Sequence, residues 1–255
     1  LRGEDANRCD TSRIHRYLIG ACLRLSGKVV TVSDDIARRI KTLFPAMAHK
    51  VVTIPNGVDV VADRCDSQAR RECETVRVLM VGSLIPRKSV PTALHALASL
   101  PAGYSLTVLG DGPERSGLER LAAELGLDRR VEFPGHVPPE RVADWLADAD
   151  VFVITSRAEG RPNAVLEAMA SGLPVVGSDI PGMRELIEHE VSGELFPVDD
   201  SEALAAALRA MADPGYRSRL GANATRAIRE RGLSWENTAA SYMREFEQLL
   251  AGRVS

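Results

Sequence analysis

The chain has 255 residues, of which 45% are hydrophobic and 26% are charged, and this length allows one large hydrophobic core or two smaller ones. Its formal net charge is -3 and its arginines are interspersed with acids, so no basic field would attract nucleic acid. No apolar run approaches the ~20 residues that span a bilayer, and no secretory signal pattern is present. We therefore expect a globular cytoplasmic protein that does not bind nucleic acid.

The cysteines and the N-terminus give two further expectations. Cys9, Cys22, Cys65 and Cys73 have neither CxxC spacing nor neighbouring histidines, which predicts free thiols rather than a zinc site or a disulfide framework. The chain begins with Leu1, and its opening LRGEDAN is typical of the exit of a strand. We expect a piece of a longer protein.

Hydrophobic runs bounded by Gly, Pro and Asp alternate with helical patterns from about residue 28 onward. The predicted strands are 28–32, 50–54, 76–82, 104–110, 130–133, 150–154, 174–177 and 193–197. The stretches between the later strands repeat apolar residues at three and four positions, so each predicted helix lays one face on a sheet. This alternation predicts an α/β fold with a doubly wound parallel sheet.

Residues 60–75 lack periodicity and carry many charges, which predicts a linker between two domains. The last predicted strand is followed by helical stretches at 200–213, 214–232 and 234–252. Each of these opens with a capping residue or a proline, so the C-terminal part is predicted to be helical.

Two glutamates, Glu159 and Glu167, stand eight residues apart around a turn that contains Gly and Pro. Glu159 follows a predicted strand and Glu167 lies in the first turns of the next helix, so both are expected at the carboxyl edge of the sheet, where open α/β folds bind ligands. A helix-start carboxylate and a solvated loop acid form the structural alternative.

Cationic and backbone groups are predicted at the same edge. Arg87 and Lys88 follow another strand after a tight turn at Gly82, and two such cations can bind a diphosphate. The turn made by Gly160, Arg161, Pro162 and Asn163 can present the N–H groups of a helix start to an anion, with Asn163 as the predicted cap; Pro162 has no N–H to donate. Taken alone, the basic pair is more often a solvated loop.

Other motifs are interpreted as structural. The glycines of GDGPERSG at 110–117 miss the dinucleotide spacing, and the chain has no P-loop run. Asp148 and Asp150 could be a metal-binding DxD, but they stand before a buried strand, so we expect no metal. His136 lies after a strand at the same sheet edge and is the one histidine kept as a site candidate.

From about residue 28 to 245 the chain resembles the retaining GT-B glycosyltransferases called group 1 or family 4. The resemblance rests on IPNGVD, VGSLIPRKS, LGDGPE, VEFPGHVP, the segment ADVFVITSRAEGRPNAVLEAMASGLPVVGSDIPGMRELI and SGELFPVDD, in family order and spacing. It implies two Rossmann-like domains that face a cleft. Residues 1–60 would be the end of the acceptor domain, 61–75 the linker, 76–233 the nucleotide-sugar-binding domain and 234–255 a helix that crosses back to the acceptor domain, which would be truncated here.

The resemblance also implies roles for individual residues. Glu159 would lie beside the donor sugar as the catalytic candidate, and Glu167 would accept hydrogen bonds from the ribose hydroxyls. Lys88 would bind the diphosphate. The arginine commonly paired with that lysine is Ser83 here, so the site is one cation short unless Arg87 or Arg161 supplies it.

Three further implications concern the loops and the missing domain. Ser89 replaces a common glycine, which predicts a stiffer loop. The backbone around Gly135, His136 and Val137 would contact the base. The family's acceptor-side histidine would lie near the start of the chain, where Arg2 takes its place.

The expected co-substrate is a UDP-, GDP- or ADP-linked sugar, with no cofactor, and with an acceptor that the sequence does not identify. The resemblance leaves open a peripheral membrane association through the N-terminal domain. Three alternatives also stay open: a nucleotide-sugar epimerase of GT-B shape, a glycosidase with paired carboxylates, and a donor-binding fragment without activity of its own. The basic pair argues against the glycosidase, which needs no phosphate site.

Overall fold

The computed structural model describes residues 12–59 and 75–251. Most of the predicted linker lies outside these ranges, as do Arg2, Cys9, Cys65 and Cys73. Of the cysteines, Cys22 lies within the described residues, where it is an exposed free thiol.

Residues 12–59, here called the N-terminal unit, form a small α/β layer. Helix α1 (Arg13–Leu25), strand β1 (Val29–Thr31), helix α2 (Asp34–Leu43), a 3-10 turn at Pro45–Lys50 and strand β2 (Val51–Thr53) follow in order. The two strands pair in parallel. Ser12 and Ser33 begin the helices by accepting hydrogen bonds from the N–H groups of His15 and Ile36, because an N-cap hydroxyl satisfies a free donor of the first turn.

Residues 75–233, here called the main unit, are built on a six-stranded sheet whose order is β5-β4-β3-β6-β7-β8. Its strands are β3 (Val76–Val81), β4 (Tyr104–Leu109), β5 (Val131–Gly135), β6 (Val151–Ile154), β7 (Val175–Ser178) and β8 (Glu194–Phe196). Every pairing is parallel. The chain winds outward from β3 to β5 and then returns to the other side of β3, so the topological switch point lies between β3 and β6.

Helices cover both faces of this sheet. They are α3 (Val90–Ala98), α4 (Arg115–Glu124), α5 (Pro139–Asp148), α6 (Asn163–Ala170), α7 (Pro181–Arg184), α8 (Ser201–Ala210) and α9 (Pro214–Glu230). A further helix, α10 (Trp235–Ala251), follows the main unit. One core lies under α3, α4 and α8, and the other lies under α5 and α6. All residues of β6 and β7 are buried, as is usual for central parallel strands.

The predicted α/β fold with a parallel, doubly wound sheet is confirmed, and all eight predicted strands are present within one or two residues of their predicted ends. The stretch PGMRELIEH at 181–189 has the apolar spacing of a helix and is predicted to be one, but the helix there is the single turn α7. After that turn His189 and Gly193 form an isolated bridge.

The last helix, α10, follows directly on the main unit and contacts the N-terminal unit. The hydroxyl of Thr238 donates to the Pro55 carbonyl at 2.9 Å, and Lys28 pairs with Glu245 at 2.8 Å. Gly57 lies so close to Ser234 that an added Cβ would be 2.3 Å from the Ser234 carbonyl carbon. The start of α10 therefore packs backbone against backbone on the segment that leaves β2.

None of the helices in the two described ranges combines the length and the apolar character that a membrane crossing requires.

Candidate functional site

Two loops meet at the switch point of the sheet. Residues 82–89, the cation loop, leave β3, and residues 155–162, the glutamate loop, leave β6. The hydroxyl of Thr155 donates to the Lys88 carbonyl at 2.6 Å, and the Arg157 N–H donates to the Arg87 carbonyl at 2.9 Å. Because β3 and β6 are neighbours, these bonds join the loops where α/β sheets bind ligands.

Side chains from the two loops form a compact ionic cluster. Lys88 Nζ lies 2.8 Å from Glu159 Oε1, and an Arg87 guanidinium nitrogen lies 3.3 Å from Glu159 Oε2. Arg87 also donates to the Ala158 carbonyl at 2.7 Å. The Lys88 and Glu159 side chains are 18% and 10% exposed, so this pair is held largely out of water, where its attraction is less screened.

The loop conformation that presents Lys88 depends on Ser89. Ser89 is buried and left-handed, with φ 47° and ψ 44°, a region that glycine occupies without cost. Its hydroxyl donates to Asp199 Oδ1 at 2.5 Å, and Arg157 donates to the other Asp199 oxygen at 2.8 Å. The Arg157 and Ser89 hydrogen bonds lower the pKa of Asp199. Asp199, in the loop after β8, thus holds Ser89 in a backbone conformation that glycine adopts more easily.

Gly82 and Ser83 begin the cation loop as predicted. A Cβ on Gly82 would lie 3.2 Å from Lys88 Cε, and a Cβ on Gly110 would lie 2.0 Å from the Gly82 carbonyl oxygen. The glycines at the ends of β3 and β4 therefore let the loops approach each other and leave room for the lysine stem. Ser83 is exposed beside them.

The turn before α6 is shaped differently from the prediction. Pro162, not Asn163, is the N-cap of α6, and it makes no side-chain capping bond, since proline has no polar side chain. Asn163 instead accepts a hydrogen bond from the Asn56 amide of the N-terminal unit at 2.7 Å. The predicted Asn163 cap is wrong, and among the residues that the structure describes none offers a side-chain acceptor to the first N–H groups of α6.

Glu167 lies one turn into α6, partly buried. Within the described residues its carboxylate has no hydrogen-bond or ion-pair partner. Burial raises the pKa of Glu167, because a carboxylate that loses water without gaining a partner is harder to ionise. A partly buried acceptor with free oxygens is suited to bind hydroxyl groups.

Arg161 is not placed in the ionic cluster. It donates to Glu185 Oε2 at 3.1 Å, and these side chains are 9% and 16% exposed. Of the two arginines predicted to replace the cation missing at Ser83, Arg87 is therefore the one that shares Glu159 with Lys88. The sequence reasoning missed Glu185, whose partners are distant in the chain.

The remaining candidates occupy the edge near β5. His136 is exposed, and Gly135 before it is left-handed with φ 88°. The Gly110 N–H donates to the Gly135 carbonyl at 2.8 Å, which joins this loop to the start of the GDGPE segment. His136 thus lies directly after β5, beside the loop that leaves β4, and it has no side-chain partner among the described residues.

Asp150 is engaged in the sheet rather than in the cluster, since Arg77 donates to both of its carboxylate oxygens at 2.9 and 3.0 Å. In residues 12–59 and 75–251 no group of three or more His, Cys, Asp or Glu side chains is arranged to hold a metal ion.

Comparisons with known proteins agree with this architecture. The family model described as "Glycosyl transferases group 1" matches residues 66–227. The lipopolysaccharide core biosynthesis glycosyltransferase LpsE of Rhizobium meliloti is 32% identical over 193 residues, which cover 75% of this chain and 56% of that protein. A D-inositol 3-phosphate glycosyltransferase of Frankia alni is 31% identical over 246 residues, covering 89% of this chain and 60% of that protein.

Solved structures share the fold. The sucrose-phosphate synthase of Thermosynechococcus elongatus superposes with a TM-score of 0.85 at 28% identity, over 94% of this chain and 63% of that one. Anabaena HepE, solved with UDP and glucose, superposes with a TM-score of 0.80 at 24% identity, over 92% of this chain and 67% of that one.

The architecture is thus that of the GT-B class, in which a Rossmann-like unit carries its loops toward a second unit. The chain belongs to the group 1 glycosyltransferases. It spans a little more than half of the length of the two curated relatives named above.

Proposed function

We propose that the whole protein is a retaining glycosyltransferase that uses a nucleoside diphosphate sugar, and that this chain supplies its donor-binding half. The observation that carries the proposal is the ionic cluster of Lys88, Arg87 and Glu159 at the switch point. Cations bind the phosphates of a diphosphate through charge-assisted hydrogen bonds, and a carboxylate beside them can accept hydrogen bonds from the hydroxyls of a sugar.

The donor would be bound by the two loops together. Lys88 and Arg87 would contact the diphosphate, together with the open N–H groups at the start of α6. Glu167 would accept hydrogen bonds from the ribose hydroxyls, and Glu159 would contact the sugar. The backbone around His136 would border the base.

In the transfer step, the bond between the sugar and the diphosphate breaks through an oxocarbenium-like state, and negative charge grows on the leaving diphosphate. An acceptor hydroxyl forms the new glycosidic bond to the same sugar carbon, and its proton passes to the leaving diphosphate. Lys88, Arg87 and the α6 start are fixed donors that stabilise this charge as it develops. Because these cations already supply positive charge, we propose that donor binding needs no metal ion.

The alternatives fit the same residues less well. A glycosidase acts on a simple glycoside with two carboxylates and needs no phosphate site, whereas here two cations lie against Glu159. The curated relatives named above are glycosyltransferases, which favours transfer over the epimerase alternative. As UDP was bound by Anabaena HepE, UDP is the first nucleotide to test.

A thermal-shift and calorimetric panel of UDP, GDP, ADP and their glucose conjugates tests the binding half of the proposal on this chain. A ligand at 100 times its dissociation constant should add ~2.7 kcal/mol to the free energy of unfolding, and EDTA should leave this shift unchanged. Lys88→Ala should weaken binding, whereas Lys41→Ala, a change at an exposed lysine of α2, should not. A folded chain stabilised by none of these ligands would contradict the proposal.

Catalysis is tested in the whole protein. Loss of one fixed donor to a developing charge typically costs ~2.7–4 kcal/mol of barrier, so Lys88→Ala should slow turnover by about 100- to 1000-fold. Wild-type turnover in that variant would refute the role of Lys88.

A further inference from the structure

The carboxylate of Glu185 connects the two units. Its Oε1 accepts a hydrogen bond from the Asp35 N–H at 2.7 Å, and its Oε2 accepts from the Asp34 N–H at 3.2 Å. These are the first two N–H groups of α2, about 150 residues away in the chain. A carboxylate of the main unit therefore caps a helix of the N-terminal unit, where the helix dipole favours negative charge.

The same carboxylate also holds the glutamate loop. Arg161 donates to Glu185 Oε2 at 3.1 Å, and its side chain is 9% exposed. Its Nε is buried, and no residue in the two described ranges accepts a hydrogen bond from it. A buried guanidinium that lacks a full set of acceptors depends strongly on the carboxylate that it has, so the conformation of the loop at Arg161 depends on Glu185.

Glu185 is itself held from two sides. Arg231 at the end of α9 donates to the Glu185 carbonyl at 2.7 Å and to the Leu186 carbonyl at 3.0 Å. At the other end of the α7 turn, a Cβ on Gly182 would lie 2.4 Å from the Gly160 carbonyl oxygen. The backbone around Glu185 is thus packed against the glutamate loop and anchored to α9.

We infer that Glu185 is a positioning residue that holds Arg161 and the start of α2 in one fixed arrangement. The glutamate loop and the N-terminal unit then cannot shift independently, so the spacing of the two units and the shape of the donor loop are coupled. That the coupled loop binds a donor rests on the proposed function. The coupling between Arg161, Glu185 and α2 can be tested without a ligand.

Amide hydrogen exchange on the 255-residue chain tests the coupling without a ligand. Glu185→Gln should speed exchange at Asp34 and Asp35 by about tenfold, as expected for a weakened helix cap. The decisive variant is Arg161→Met, which should also speed exchange at these two amides because Glu185 loses the cation that fixes it. Arg161→Lys, which keeps the charge, should restore most of the protection.

The matched control is Glu188→Gln, the same change at an exposed glutamate three residues along the chain, and it should leave both amides unchanged. Amides of β6 should exchange as in the wild type in every variant, which shows that the sheet is folded. If Glu185 were only a local cap, Arg161→Met would not alter exchange at Asp34 and Asp35, and the inference would be overturned.

A second arm with UDP separates this inference from the proposed function. Bound UDP should slow exchange at Asp34 and Asp35 in the wild type but not in Glu185→Gln, since coupling between two sites is reciprocal. If UDP binds and protects α2 equally in both proteins, the function stands and the inference fails. If UDP, GDP and ADP all fail to bind while Arg161→Met still speeds α2 exchange, the inference stands and the proposed function fails.

Discussion

Lys88 and Glu159 stand 71 residues apart in the chain, yet Lys88 Nζ donates to Glu159 Oε1 at 2.8 Å. The contact is made by two loops that leave neighbouring strands at the switch point. It neutralises the lysine that is proposed to bind the diphosphate, so an incoming diphosphate has to compete with Glu159 for the same ammonium group.

This competition gives the first prediction. Glu159→Gln should bind UDP about tenfold more tightly than the wild type, a gain of ~1.4 kcal/mol, because Lys88 and Arg87 lose their carboxylate partner and keep their charge. Uridine, which has no diphosphate, should bind both proteins equally by calorimetry. The exposed Glu124→Gln change serves as the control. Weaker UDP binding in Glu159→Gln would contradict the competition.

The second prediction concerns the pH dependence that Glu167 produces. Since burial raises the folded-state pKa of Glu167 above that of a free glutamate, the folded protein binds this proton more tightly than the unfolded chain does. Stability therefore falls as pH rises from the unfolded pKa through the folded pKa. Glu167→Gln removes this loss, so its Tm should exceed that of the wild type by a small amount at pH 7, and the difference should vanish below about pH 4.

The same variant should bind nucleotides poorly. Loss of hydrogen bonds from two ribose hydroxyls to a charged acceptor should weaken UDP binding by about 10- to 100-fold. Pyrophosphate lacks the ribose and should bind Glu167→Gln and the wild type equally. A variant that is both more stable and equally able to bind UDP would rule out Glu167 as the ribose acceptor.

The third prediction separates the contribution of the Ser89 hydrogen bond from the cost of the left-handed backbone conformation at Ser89. Ser89→Ala loses the hydrogen bond to Asp199 and keeps a side chain in the left-handed region, so urea unfolding should show a loss of about 1.5–3 kcal/mol. Ser89→Gly loses the same bond but removes the steric cost, and it should be roughly 0.5–1 kcal/mol more stable than Ser89→Ala. Equal stability of the two variants would show that the left-handed conformation is not maintained in solution.

The fourth prediction compares two glycines. A Cβ on Gly182 would meet the Glu159 and Gly160 carbonyl oxygens at 2.5 and 2.4 Å, whereas nothing lies within 4 Å of a Cβ on Gly117. Gly182→Ala should therefore lower the free energy of unfolding by about 1–3 kcal/mol and weaken UDP-glucose binding. Gly117→Ala, in the exposed face of α4, should raise it by about 0.4–1 kcal/mol. Thermal melts of Gly182→Ala and Gly117→Ala should show opposite changes in the free energy of unfolding.

The sequence by itself determined the fold class and the general position of the site. Valine- and isoleucine-rich runs that alternate with amphipathic helices allow few arrangements other than a parallel sheet covered on both faces. Once that sheet is accepted, residues that follow strands, such as Lys88 and Glu159, must lie at its carboxyl edge. Hydrophobic periodicity is a local property, and for this reason it can be predicted from the sequence.

Only the tertiary structure decided which of these residues meet. Arg87 and Arg161 were equivalent candidates in the sequence, but the structure directs Arg87 to Glu159 and Arg161 to Glu185. Asn163 was predicted as a cap and instead binds Asn56. Each of these outcomes depends on a side chain that is distant in the chain, and on the order in which the strands assemble. Local propensity contains no information on such long-range ionic and hydrogen-bond partners, because they are set by which loops the sheet brings together.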